Sequence, residues 1–242
     1  MATIGPGNDL FPKTRWTMIV AAARPNDPEC KQALAALCEG YWYPVYAFIR
    51  RKGHDADSAA DFAQGFFLTL LSGTFFERAD PHKGRFRAFL LTAVKFFLAD
   101  EFDRASAKKR GGDSLPFSLD DAEGRYIKEP AHEETPERIF ERRWARAVLE
   151  RVVNLLREDF IRHGRLDHFN HLKVYLMGQS EVPYAELAKK LDMSESALKS
   201  GIHRFRKRYR DLLRAEVAST VADPAEVDNE LRFLMTALTS KA

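Results

Sequence analysis

The residues best placed to do chemistry in this 242-residue chain lie in one stretch, 183–213, which reads PYAELAKKLDMSESALKSGIHRFRKRYRDLL. Leu198, Ile202, Phe205, Tyr209 and Leu212 recur at helical spacing and define an inward stripe. Glu195, Ser196, Lys199, Ser200, His203, Arg204, Arg206 and Lys207 then face outward. Lys and Arg can meet guanine edges and phosphates, and Glu can accept from cytosine. From 199 to 214 there are seven Lys/Arg against one acid, Asp211. Ser194 is an N-cap for this helix. A shorter amphipathic helix, 184–191, precedes it with Leu187, Ala188 and Leu191 inward, and Asp192-Met193-Ser194 is a tight turn. Small Ala188 sits where two crossing helices approach closely. The pattern is a helix-turn-helix, whose second helix enters the major groove of duplex DNA. Ser194 joins the outward residues as an expected DNA contact. Asp192 stands where glycine is common, and Asp tolerates the left-handed conformation better than most residues. The plain alternative is a helical hairpin with a basic solvated face.

Other constellations carry less. His163, His168 and His171 cluster without Cys or an HExxH pattern, which gives no expected metal site. Cys30 and Cys38 alone make neither a disulfide framework nor a zinc site, and fit a reducing compartment. Walker loops, GxGxxG and paired catalytic carboxylates are missing, so neither enzyme nor cofactor is expected. The net charge of +3 hides alternating blocks. Residues 104–110 hold four bases and no acid, 113–137 hold eight acids against two bases, and 216–242 hold five acids against two bases.

Helices must position these groups. Leu34, Leu37, Tyr41, Val45 and Phe48 form one stripe. Phe62, Phe66 and Leu70 form a second, broadened by Ala59, Ala63, Phe67 and Leu71, with Asp55 or Asp57 as N-cap. Phe86, Leu90, Ala93 and Phe97 form a third. Thr135-Pro136-Glu137 reads as a helix start before a long pattern from Ile139 to Leu156. Asp223-Pro224 starts a last helix striped by Val227, Leu231, Leu234 and Leu238. The expected fold is all-α: two helical domains joined by a flexible acidic linker.

Beyond these patterns, the helix-turn-helix segment resembles region 4 of bacterial sigma-70 family factors of the extracytoplasmic-function class. DSAADFAQGFFLTLL resembles region 2.2, and RFRAFLLTAVKFFLADEFDRASAKKR resembles regions 2.3 and 2.4. TRWTMIV, YWYPVYAFIRRKGH and DPHKGRFRAFL look like a planctomycete-like subgroup with a C-terminal extension. The resemblance implies region 2 with an N-terminal extension over 1–110, an acidic linker over 111–137, region 4 over 138–215 and an acidic helical extension over 216–242. It implies that Asp57, Asp61 and Gln64 dock on the β′ clamp helices of core RNA polymerase, with region 4 on the β flap. Gly65 departs from the acid often found there. It implies that the −10 promoter element meets Arg85, Arg87, Lys95, Asp100, Arg104, Lys108 and Lys109. Phe96 falls where asparagine is common and is not assigned to base recognition. Ten of the eighteen Phe lie between Phe62 and Phe102, mostly as core.

The function implied is promoter recognition, DNA melting and transcription initiation with core RNA polymerase. The alternative is a stand-alone helix-turn-helix regulator. The expected partners are polymerase and promoter DNA, with an anti-sigma factor or kinase as the kind of regulator the class implies. No apolar run approaches the length of a membrane span and no secretory signal is visible, so the expected location is cytoplasmic.

Overall fold

A computed structural model describes residues 28–72, 84–105, 123–126, 134–176 and 183–239. Its elements are α1 Pro28–Arg51, α2 Ala56–Leu71, α3 Phe86–Ala105, α4 Pro136–Arg162, α5 Leu166–Leu172, a 3-10 turn Lys173–Leu176, α6 Tyr184–Lys190, α7 Glu195–Ala218, a 3-10 turn Pro224–Glu226 and α8 Val227–Thr239. A single helical turn spans 123–126. The architecture is all-α. The described residues contain no strand beyond an isolated bridge between Arg85 and Val221. None of the described helices is long and apolar enough to cross a membrane.

Local chemistry sets the helix ends. Asp55 caps α2 by accepting from the Ser58 amide at 2.8 Å. Thr135 caps α4 through the Arg138 amide, with Pro136 at the first position. The acids and prolines that suggested a linker include ordered anchors. Glu123 binds Arg50 at 2.8 Å and accepts from Tyr46, and Arg50 also lies over the Tyr126 ring. Glu134 is buried, and its carboxylate pairs with Arg142.

Two cores form. The first joins α1, α2 and α3 with Phe140, Trp144, Ala145 and Val148 of α4, and with Val217, Val221, Val227 and Leu234 near the C-terminus. Among the described residues, the start of α4 and the stretch from Val217 to Leu234 thus share a core with the N-terminal helices. Tyr41 is the hinge of the packing. Its hydroxyl accepts from Trp144 Nε1 at 2.8 Å, and its ring meets Phe86 edge-on at 5.0 Å. The second core gathers Leu156, Phe169, Leu172, Tyr175, Leu187, Ala188, Leu198, Ile202 and Phe205. Phe205 meets Phe160 and Phe169 at 5.4 and 6.0 Å.

Helices α4 and α7 enter both cores. Arg151 binds Glu216 at 2.8 Å and Arg208 binds Asp159 at 3.1 Å. That register makes the two helices antiparallel neighbours. A helix of α4's 27 residues is roughly 40 Å long, so a displacement at one end is carried to the other.

Two outcomes are expected. Arg87 is buried, and its Nε lies 2.6 Å from the Glu230 carboxylate, which is itself buried. Glu230→Ala leaves that guanidinium charged in a buried site, so urea denaturation should show a loss of about 3–5 kcal/mol; a loss below ~1 kcal/mol would contradict this burial. The Arg50 guanidinium, with help from Tyr46, holds the Glu123 carboxyl below its ordinary value of 4.5. A lowered folded-state value gives stability that is full above about 4.5 and drains away as pH falls through the lowered value. Glu123→Gln should therefore flatten the pH dependence of thermal stability in that acid window, and an unchanged slope would count against the pair.

Candidate nucleic-acid interface

Helix α6 ends at Leu191, after which Asp192 takes φ +50°. The Met193 amide bonds the Ala188 carbonyl at 2.9 Å, and the Asp192 amide bonds the Lys189 carbonyl at 3.3 Å. These are the two reversed bonds of a Schellman stop, with Asp192 at the left-handed position. Ser194 then caps α7, its hydroxyl accepting from the Ala197 amide at 3.2 Å. Ala188 is buried at the crossing with α7, alongside Leu187, Leu198 and Ile202. The chain reverses in three residues because left-handed Asp192, the Ser194 cap and the small Ala188 each remove one obstacle to a tight crossing.

The outward residues of α7 divide by partner. Glu195, Ser196, Lys199, Ser200, His203, Arg204 and Lys207 are exposed, and so is Ser194. Among the described residues no ion pair holds Arg204 or Lys207. Lys199 lies 3.9 Å from Glu195, one turn away, and 5.6 Å from the Tyr184 ring. An exposed pair at that separation contributes little and leaves the ammonium available. Arg206 is placed differently. Its Nε donates to the Tyr175 carbonyl at 2.8 Å, which ties α7 to the 3-10 turn beneath it. Arg206 is therefore a positioning group in this arrangement rather than part of the open surface. Lys189 and Lys190 at the end of α6 are also exposed. They lie beside the turn and add to its exposed charge, a contribution that the helical periodicity of α7 does not reveal.

Of the residues expected at the −10 element, Arg85, Arg87 and Lys95 are each held by acids. Arg87 is 7% exposed. Its Nε meets Glu230 at 2.6 Å, Glu141 lies 3.7 Å from its Nη1, and its guanidinium carbon stands 3.6 Å from the centre of the Phe233 ring. Arg85 binds Glu226 at 2.7 Å and Glu230 at 3.2 Å. Lys95 binds Glu137 at 2.8 Å. Asp100 is exposed. Arg104 lies in the last turn of α3, and Lys108 and Lys109 lie outside the described residues. The same helix turns Phe96 and Phe102 outward, 66% and 79% exposed. Both fall off the Phe86-Leu90-Ala93-Phe97 stripe, and that offset was the available signal.

On α2, Asp57 and Asp61 are exposed and Gln64 is partly buried, and Leu68 continues the strip with 39% exposure. Gly65 points elsewhere. A Cβ there would lie 3.3 Å from Phe97 Cζ, so the position serves the α2–α3 approach and lies off the acidic strip. His163 Nδ1 lies 2.7 Å from the Asp159 carbonyl and His171 lies 3.6 Å from Asp167. Among the described residues no group of three metal-binding side chains converges.

This chain matches no family model, no curated protein and no solved structure.

Replacing Asp192 tests the turn. A β-branched side chain suffers most at positive φ, so Asp192→Val should lower stability by about 1–2 kcal/mol while Asp192→Gly is tolerated. Thermal unfolding of both variants reads this, and equal stability would contradict the left-handed assignment.

Proposed function

We propose that this chain is a transcription initiation factor of the extracytoplasmic-function class of the sigma-70 family. It binds core RNA polymerase, delivers it to promoter DNA, and leaves the covalent chemistry to the polymerase. The observation that carries this reading is the α6–α7 unit, a tightly closed helix-turn-helix with Lys199, His203, Arg204 and Lys207 on its open face. Such a face gains affinity by neutralising phosphates and specificity by touching base edges near the start of the second helix. The acidic strip of Asp57 and Asp61 supports the second half of the reading. A solvated acidic face suits a basic protein partner, for which charge sets on-rate and register. Core polymerase is that partner in this proposal.

The proposal also keeps region 2 on α1–α3, region 4 around α6–α7, and a cytoplasmic site of action. In the conformation described, the basic −10 contacts left to this reading are those in and after the last turn of α3, where Arg104, Lys108 and Lys109 lie in the sequence. Arg85 and Arg87 are engaged elsewhere in the conformation described.

A pair of substitutions tests the division of labour. Arg204→Ala should weaken promoter-specific binding of the polymerase complex by about 1–3 kcal/mol while leaving polymerase binding intact. Asp61→Ala should weaken polymerase binding while leaving contact with duplex DNA intact. Pull-down and promoter-binding titrations read the two separately. Tight binding of the free chain to a palindromic duplex, without polymerase, would favour the stand-alone regulator.

A further inference from the structure

Residues 220–239 close over the start of α3. The Phe86 amide donates to the Thr220 carbonyl at 2.9 Å, and the Ala222 amide donates to the Gly84 carbonyl at 3.3 Å. These bonds frame the bridge between Arg85 and Val221. Immediately beyond it the segment presents two carboxylates to two guanidiniums. Glu226 reaches Arg85, and Glu230, which has no exposed surface, reaches both Arg85 and Arg87. The Phe233 ring then covers the Arg87 guanidinium. The same segment also touches the far end of α7, where Asp228 binds Arg214 at 2.5 Å.

Planar guanidinium forks match carboxylate and phosphate oxygens alike. The forks of Arg85 and Arg87 that hold these carboxylates suit phosphates equally. We propose that residues 220–239 are an internal competitor for nucleic acid, and that they leave Arg85 and Arg87 when a DNA strand is gripped at the start of α3. The inference rests on the initiation-factor reading.

The physics allows the exchange. Release of the segment exposes its apolar contacts, Val227 and Leu234 among them, and that cost is opposed by the conformational entropy regained by some twenty residues. Arg85 and Glu226 are partly exposed, so added salt weakens their share of the hold. A strand of DNA supplies the replacement anions at the moment the carboxylates depart, so Arg85 and Arg87 are not left buried and uncompensated.

Amide hydrogen exchange on the wild-type protein tests the proposal. Residues 220–239 should be protected in the free chain and lose protection at least about tenfold in its complex with core polymerase and promoter. Unchanged protection in a complex that produces promoter-specific transcripts would overturn the proposal. Failure of the wild-type chain to yield any such transcripts with core polymerase would instead overturn the initiation-factor reading, and this inference with it. A second measurement addresses the competition in the free protein. The doubly substituted chain E226Q, E230Q should bind a single-stranded oligonucleotide about tenfold more tightly at low salt, through a larger competent fraction. Unchanged affinity would overturn the competition. Glu226→Gln alone, at a partly exposed position, should move affinity the same way by a smaller factor, and keeps the test valid if the double variant does not fold.

Discussion

Helices α4 and α7 run antiparallel, with Arg151 on Glu216 at one end and Arg208 on Asp159 at the other, and both cores grow outward from that pair. Where α4 begins, Phe140, Trp144 and Val148 close the core of α1–α3. Further along, Leu156 joins the platform of the helix-turn-helix. Helix α7 makes the return journey, contributing Leu198, Ile202 and Phe205 to one core and Val217 to the other. The orientation of the open face of α7 is thus tied to the helices that carry the acidic strip. Long helices with two buried ends transmit position well, because close-packed interiors yield little.

Charge placement follows from the same layout. Toward the turn, α7 keeps Lys199, Arg204 and Lys207 exposed, whereas two of its later arginines meet acids, Arg208 on Asp159 and Arg214 on Asp228, and Arg210 stays exposed. The positive potential of the helix is therefore concentrated beside the turn, where Lys189 and Lys190 add to it. The start of α3 carries two further bases, Arg85 and Arg87, but Glu226 and Glu230 neutralise them. One basic region is thus open and the other closed.

The local parts of this arrangement were legible in the sequence. The stripes of α2 and α3, the caps at Asp55, Thr135 and Ser194, and the turn at Asp192 all depend on residues within a few positions of one another. What stayed hidden was nonlocal. Arg87 and Glu230 are 143 residues apart, and periodicity holds no information about such a pair, so both arginines read as surface bases. Helix α1 shows the same limit. Over 40–49 its expected single stripe became burial around nearly the whole girth, Trp42, Tyr46, Ala47 and Ile49 included, because α4 and neighbouring elements pack on several sides. Glu123 read as one acid among eight in a linker, and only the fold brings it to Arg50 and Tyr46. Gly65 read as a lost acid, whereas its lack of a side chain admits Phe97.

The central claim is that this chain brings polymerase to a promoter, and it is tested most directly by co-purification with bacterial core RNA polymerase followed by transcription from the DNA upstream of its own coding sequence. The account predicts a stable complex and transcripts that start at one defined site and depend on the added chain. A chain that ignores core polymerase yet binds duplex DNA by itself, with salt-sensitive affinity, would contradict it.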